Sequence, residues 1–217
     1  MLMSPSRRPL LLIGAALLAL VGCRSMYYKT METFGVEKRD ILSDRVEEGR
    51  DEQEEAKEQF QSALEAFKAV TDFEGGDLEE LYDRLNKELY RCEAAATDVR
   101  NRIEAIEDVA EDLFAEWERE LEQYNDEGLR AASASQLEAT RRSYAPLIDA
   151  MRRAEETMVP VLGTFQDQVL FLKHNLNAQA IAALQDSVLR IETDVARLVA
   201  EMEAAIDEAN AFIENMG

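Results

Sequence analysis

Side chains able to carry out chemistry are few in this chain, and their types limit what it can do. His174 is the single histidine among 217 residues, which excludes metal sites built on two or more histidine ligands. We expect His174 to cap a helix end or to lie in a turn, because a cationic side chain is favourable at a helix C-terminus. Cys92 lies among apolar residues at helical spacing, so a buried, inert thiol is expected there. The sequence predicts no catalytic, cofactor-binding or metal-binding residue.

Carboxylates are abundant, with 45 Asp and Glu residues, so a pair of them carries little information. Five acids between Asp72 and Glu80 form a cluster whose oxygens are the kind of ligand that Ca²⁺ or Mg²⁺ accepts. Their spacing does not match an EF-hand loop, and the three at 77–80 also fit the acidic first turn of a helix without any metal. The neighbouring Gly75-Gly76 pair lacks the strand and the Lys of a phosphate-binding loop.

The balance of charge shows which partners the chain does not suit. Lys and Arg number 24 against 45 Asp and Glu, a net charge of -21. Binding to the phosphates of DNA or RNA needs a basic face, so nucleic acid is excluded as a partner. Charged residues make up 32% of the chain while Gly, Pro and aromatic residues are few, a composition typical of long helices.

The stretch from Leu78 to Tyr124 is the clearest structural element. Until its last two positions, its apolar residues alternate in steps of four and three: Leu78, Tyr82, Leu85, Leu89, Cys92, Ala96, Val99, Ile103, Ile106, Ala110, Leu113, Trp117, Leu121 and Tyr124. This is the heptad spacing of a coiled coil, and neither Gly nor Pro interrupts it. Such a helix would be about 70 Å long, and its seam needs other helices to cover it.

Helices with the same spacing are predicted on both sides of this stretch. The first runs from about Val36 to Phe73, although Gly49 and Gln53 occupy two of its core positions. A polar core residue either specifies the register or the partner of a helix or marks a hydrated weak point, and both interpretations stay open. The same applies to Thr140 and Gln168 on the third helix.

The third helix is expected to begin at a cap provided by Ser133 or Ser135 and to keep its seam up to Leu172. Pro146 and Pro160 lie inside it, and each removes a hydrogen bond, so kinks are expected, or a break at Pro160. Further apolar residues widen its stripe, as in a helix with two neighbours: Ile148, Leu162, Val169 and Phe171.

A fourth helix is predicted from about Ala178 to Asn215. Short connections between consecutive long helices make neighbours antiparallel. The sequence therefore predicts an all-α fold, an elongated antiparallel coiled-coil bundle of about four long helices that occupies residues 36–217.

Residues 1–22 have the pattern of a signal peptide rather than of a folded segment. Arg7 and Arg8 precede an apolar run from Leu10 to Leu20 that is too short for an ordinary membrane span. The run ends in Leu20-Val21-Gly22-Cys23, which resembles the lipobox of bacterial lipoproteins. That resemblance implies cleavage before Cys23 and its lipidation, and the alternative is an ordinary signal peptide with a chance Cys. Several acyl chains would give stable anchoring.

The residue after Cys23 bears on the membrane that receives the anchor. It is Arg24, whereas Asp at this position is the usual inner-membrane retention signal of enterobacterial lipoproteins. The periplasmic face of the outer membrane is therefore expected. Removing Arg7 and Arg8 leaves 22 basic against 45 acidic residues, a net charge of -23.

Residues 23–35 are interpreted as a tether next to the membrane. Tyr27, Tyr28, Met31 and Phe34 fall on one face of a helix, which favours an amphipathic foot with aromatic rings at the level of the lipid headgroups. These side chains equally suit a cover for the end of the bundle.

Two segments of the sequence resemble a known family. One contains Tyr27-Tyr28, Phe34-Gly35 and the run 38–42, and the other is the more distinctive run from Phe171 to Ile181. Together they resemble a family of uncharacterised bacterial lipoproteins that is known only as a domain of unknown function. The resemblance implies a periplasmic helical protein without an assigned reaction.

The sequence favours a non-enzymatic, outer-membrane-anchored scaffold or adaptor without a cofactor. Its partners would be the membrane, through the lipid, and either envelope proteins or further copies of the chain. The two segments that carry the resemblance provide the candidate contact residues: Tyr27, Tyr28, Phe34, His174, Asn175 and Asn177. The alternatives are a carboxylate-dependent enzyme or accessory factor of the envelope, and an acidic protein that binds divalent cations or serves in stress.

Overall fold

The computed structural model describes residues 38–69, 78–175 and 178–216. These residues form four helices and no strand: α1 (Lys38–Lys68), α2 (Leu78–Leu121), α3 (Glu127–His174) and α4 (Ala178–Met216). Residues 42–217 form one compact unit, and the packing described below lies within it. The fold is therefore an all-α bundle, as the heptad spacing predicts. None of the described helices has the length and apolar character needed to cross a membrane.

The predicted seams become the core of the bundle. On α2, every predicted core residue from Leu85 to Leu113 is buried. On α1, both Gly49 and Gln53 are buried along with the apolar residues. The part of the α1 seam that lacks large apolar side chains therefore still faces the other helices. The largest fully buried side chains include four phenylalanines, which are Phe60, Phe67, Phe165 and Phe212.

Polar contacts across the helices show that sequence neighbours run antiparallel. From α1 to α2, Gln59 meets Glu88 while the earlier Glu48 meets the later Arg102. The same inverse order relates the other neighbouring pairs of helices: Arg100 with Glu155 and Glu118 with Arg141 between α2 and α3, Gln168 with Ser187 and Arg153 with Glu201 between α3 and α4, and Lys68 with Glu192 and Arg50 with Asn210 between α1 and α4. Each helix is thus paired with two antiparallel neighbours.

Aromatic side chains connect both opposite and neighbouring helices of the bundle. Phe165 of α3 stacks on Phe67 of α1 with ring centroids 4.7 Å apart, and on Phe60 at 6.3 Å. Tyr144 of α3 contacts Phe114 of α2 and Phe212 of α4 edge to face. The core is therefore shared by all four helices.

The predicted start of α3 is wrong. The helix begins at Glu127, and its N-cap is Asp126, whose Oδ1 accepts a 2.9 Å hydrogen bond from the backbone N–H of Leu129. Ser133 and Ser135 lie inside the helix instead. An Asp that bonds the N–H three residues later satisfies one of the donors that a helix start leaves open, so Asp126 serves as well as a Ser would.

Of the two alternatives for the prolines, the break at Pro160 is wrong, because α3 continues through both Pro146 and Pro160 to His174. Both prolines are on the exposed face of the helix. A proline there leaves one carbonyl without its helical partner, but water can bond that carbonyl on the solvent side. The burial of the opposite face holds the helix together.

Candidate functional site

The candidate contact residues that the structure describes lie at the C-terminus of α3. His174 is the last residue of the helix and is exposed, which confirms its expected place at a helix end. Asn175 is the C-cap, and its backbone N–H donates to the carbonyl oxygen of Leu172 at 3.1 Å. Its side-chain Nδ2 donates to the carbonyl oxygen of Phe171 at 2.9 Å. The amide of Asn175 therefore satisfies the helix end, and His174 is the side chain presented to solvent.

The other predicted site residues lie outside the described part of the chain. These are Cys23, Tyr27, Tyr28, Phe34 and Asn177. The acids at 72, 74 and 77 also lie outside it. Among the described residues, no group of three or more His, Cys, Asp or Glu side chains is arranged to hold a metal ion.

The outer face of α3 next to His174 is poor in charge. From Thr157 to Leu172 the one charged residue is Asp167, in a chain of which 32% is charged. Three large apolar side chains of this segment reach solvent: Val159 is 59% exposed, Leu170 53% and Phe171 40%. Val169 and Phe171 were both expected to widen the buried stripe, but Val169 is buried and Phe171 is not. This face was not predicted, because the heptad spacing identifies the residues that face inward.

The thiol of Cys92 lies in the core between α1 and α2, as predicted. Its Sγ is 3.7 Å from the carbonyl oxygen of Gln59, whose side chain donates to the carboxylate of Glu88 at 2.8 Å. Burial raises the pKa of the Cys92 thiol to about 12, although the hydrogen bond from Gln59 acts to lower it. A thiol held in its protonated form is a poor nucleophile and a poor metal ligand.

Glu88 is a buried carboxylate that the sequence analysis missed. It is 8% exposed, next to the seam of α2. Gln59 bonds one of its carboxylate oxygens, and Arg91 bonds the other at 2.9 Å. One oxygen therefore joins α2 to α1 through Gln59, and the other is bonded within α2 by Arg91.

A network of ion pairs joins the middle of α2 to α3. Arg152 binds Glu107 through two hydrogen bonds, and it also lies 3.4 Å from Glu155. Glu155 in turn accepts a 2.7 Å bond from Arg100. Burial raises the pKa of the nearby Tyr144 phenol above its usual range, and the charge of Glu107 acts in the same direction. The network holds the two helices in one register.

The three polar residues of the predicted seams behave differently from one another. The side chain of Gln168 donates to Ser187 of α4 at 3.3 Å, so it connects two helices. The hydroxyl of Thr140 donates to the carbonyl oxygen of Gln136 in its own helix. Gln53 is 1% exposed, and neither atom of its amide has a hydrogen-bond partner. Gln168 fits the register interpretation, whereas Gln53 is a weak point of the core.

Fold and site together define the class of this protein as an antiparallel four-helix bundle with a charge-poor face on one helix. Residues 27–216 match the family described as "Protein of unknown function (DUF2959)", and the chain belongs to that family. The resemblance to a family of unknown function is thereby confirmed. Neither a curated protein nor a solved structure matches the chain.

Proposed function

We propose that this protein is a non-enzymatic lipoprotein that acts as a scaffold or adaptor at the periplasmic face of the outer membrane. The observation that carries the proposal is the sequence Leu20-Val21-Gly22-Cys23 at the end of a short apolar run. Cleavage before Cys23 and acylation of that residue would anchor the bundle by several acyl chains. Arg24 supports the outer membrane as the destination.

The build of the bundle supports a mechanical role. Helices α2 and α3 contain 44 and 48 residues. At about 1.5 Å per residue they are about 66 and 72 Å long. Ion pairs from α1 to α2 and α4, and from α3 to the same two helices, hold the register of all four. A bundle of this kind can hold a contact surface in a fixed position.

The titratable groups inside the bundle also support this reading. Cys92 and Tyr144 both have raised pKa values because they are buried, so both stay protonated and uncharged at neutral pH. A catalytic nucleophile needs the opposite shift, towards a more readily ionised form. Their environment suits packing between helices.

The contact surfaces of the scaffold are proposed at the two segments that carry the family resemblance. Tyr27, Tyr28 and Phe34 would lie near the lipid headgroups. His174 and Asn177 would contact an envelope partner, with Asn175 fixing the helix end between them.

The anchor is tested by growing cells with radiolabelled palmitate and comparing three forms of the chain. The native chain and Cys92→Ala should incorporate the label equally, whereas Cys23→Ala should incorporate none. Cys92→Ala is the matched control, since it removes the other thiol of the chain. Label in the Cys23→Ala chain, or no label in the native chain, would overturn the anchor.

The adaptor role is tested by placing a photocrosslinking amino acid at His174 in living cells. Position 203, an exposed Glu on α4, is the control. The proposal expects a specific envelope protein to be recovered from position 174 and not from position 203. The same set of products from both positions, or none from 174, would contradict it.

A further inference from the structure

The exposed face of α3 carries a second heptad stripe that points away from the core. Its members follow one another in steps of three and four, and all are exposed: Glu156, Val159, Gly163, Gln166, Leu170 and Lys173. We call these six residues the outer α3 stripe. A seam with coiled-coil spacing on an exposed helix face is the pattern that a further helix would cover.

The order of residues in the outer α3 stripe is self-complementary. Two stripes can be laid antiparallel about a two-fold axis that lies between Gly163 and Gln166. Gly163 of each copy then faces Gln166 of the other copy. In the same register Val159 faces Leu170, and the acid Glu156 faces the base Lys173. In a parallel arrangement each residue would face its own copy, so like charges would meet at both ends.

The charge distribution selects this face for contact between copies. Each chain has a net charge of -21, so two copies repel each other over most of their surfaces. The segment 157–172 has one charged residue, Asp167, and is a place where that repulsion is small. Neither Glu156 nor Lys173 forms an ion pair with another described residue. The carboxylate of Glu156 and the ammonium group of Lys173 can therefore each pair with a second copy.

Gly163 has a purpose in this arrangement that the single chain does not give it. A Cβ at this position would meet no other atom within 4 Å, so packing inside the molecule does not require a glycine. Glycine inside a helix costs about 1 kcal/mol relative to alanine. A missing side chain at the centre of the stripe lets the backbones of two helices approach closely.

From these observations we infer that the outer α3 stripe is a self-association surface, which binds the same stripe of a second copy in antiparallel orientation. The contact is one helix face about 25 Å long. The area that one such face can bury is small compared with the roughly 800 Å² that each partner buries in a standard interface. The dimer is therefore weak, with a dissociation constant in the micromolar range or above. Self-association through this stripe goes beyond the proposed scaffold role and does not depend on the lipid anchor.

Charge reversal tests the pairing of Glu156 with Lys173. The full-length chain in a non-ionic detergent is measured by sedimentation equilibrium over a range of concentrations. Glu156→Lys should weaken association about tenfold, because it replaces two attractive pairs by two repulsive ones. The double variant E156K/K173E should restore it to near the native value. Circular dichroism checks that each variant is folded.

Glu203→Lys is the matched control, since it makes the same charge change at an exposed position of α4 outside the stripe. It makes the molecule less acidic, so it should leave association unchanged or strengthen it slightly. If Glu156→Lys also strengthened association, general repulsion would explain the result and the pairing would be wrong. A native chain that stays monomeric at every concentration would overturn the proposal.

The register has its own test through cysteine pairs. V159C/L170C should give a covalent dimer with a short bismaleimide, because the two positions face each other across the two-fold axis. V159C alone should not, because the two copies of position 159 lie eleven residues apart along the helices, about 16 Å. Equal yields from the single and the double variant would contradict the antiparallel register. The native chain measures any reaction at its own cysteines.

Discussion

At the scale of single residues, the bundle combines buried groups that suit its core with one that does not. Cys92 is inert in its place because burial raises its thiol pKa to about 12. Gln53 is buried to the same degree, yet its amide has no hydrogen-bond partner. A buried polar group without a partner lowers the free energy of unfolding, whereas an apolar group of similar size would not.

Gln53→Leu should raise the free energy of unfolding by about 1–2 kcal/mol, because it replaces an unpaired buried amide with an apolar side chain of similar length. Urea unfolding followed by circular dichroism measures the change. Gln61→Leu, on the exposed face of the same helix, is the control and should change stability by less than about 0.5 kcal/mol. Destabilisation by Gln53→Leu would show that the amide has a partner in solution.

Cys92 should make the bundle less stable in alkali. The thiol pKa is about 12 in the folded protein, whereas the pKa of an unfolded thiol is about 8.5. Between these values the unfolded chain loses a proton that the folded chain keeps, so stability is complete below the lower value and falls as pH rises. The slope for one such group is about 1.4 kcal/mol per pH unit.

The measurement is urea unfolding of the native chain and of Cys92→Ala at several pH values between about 8 and 11. The native chain should lose stability with pH over this range, and Cys92→Ala should lose less. The raised pKa of Tyr144 adds a second decline that begins higher, near the ~10 of a free phenol, and Tyr144→Phe should remove that part. Equal slopes for the native chain and Cys92→Ala would refute the shift at Cys92.

At the scale of the helices, Gly49 in the middle of α1 and Gly163 in the middle of α3 have opposite surroundings. A Cβ at Gly49 would lie 2.7 Å from Cδ1 of Ile106 and 3.5 Å from Cε of Met151, so α1 has no room for a larger side chain there. A Cβ at Gly163 would meet nothing within 4 Å. The same residue type therefore marks tight packing at one site and an open face at the other.

Gly49→Leu should lower the free energy of unfolding by about 2 kcal/mol, since the new side chain forces Ile106 and Met151 to move. Gly163→Leu, the same change in open space, should instead raise it by about 0.5 kcal/mol through better helix propensity. Both are measured at low concentration, where the chain is monomeric. Destabilisation of similar size at both sites would contradict the assigned packing.

The contact between α2 and α3 should include a measurable coupling between Glu107 and Arg152. Both side chains are partly exposed, 34% and 42%, so solvent weakens the pair. A double-mutant cycle with Glu107→Gln and Arg152→Met should give a coupling energy of about 0.5–1 kcal/mol. Near 1 M salt the coupling should shrink, because screening weakens exposed pairs. A coupling of zero at low salt would show that the pair does not form in solution.

The seams could be predicted from the sequence because heptad spacing records which residues face inward. The ends of the helices were predicted less accurately than the seams. Tyr124 was placed on the seam of α2 but is 42% exposed, since the helix ends at Leu121. Along α2 the core stops at Leu113, and on α3 it starts at Leu137. The seam continues in the sequence past the point where neighbouring helices cover it.

The candidate site was predicted only in part. His174 was placed correctly at a helix end, because basic residues and Asn suit such an end. The outer α3 stripe was not identified, although its residues have the same spacing as the core. A second seam on a helix becomes visible only once the first is known to be covered by the other helices. The choice between a continuous α3 and a break at Pro160 stayed open for a related reason, since it depends on that proline facing solvent.

At the scale of the whole molecule, charge and the proposed anchor would act together. The mature chain would have a net charge of -23, with 22 basic and 45 acidic residues. This charge keeps the surfaces of separate copies apart, except at the outer α3 stripe, where charged residues are few. A lipid anchor would concentrate copies on one membrane, where even a weak contact between them can be populated.

The central claim is that this bundle is held to a membrane through Cys23. Its most direct test is the intact mass of the mature protein extracted from the outer-membrane fraction of its own cells, together with its N-terminal peptide. The account predicts a chain that begins at Cys23 and carries a diacylglycerol on the thiol. A mature chain that begins elsewhere, or that begins at Cys23 without any fatty acyl mass, would contradict it.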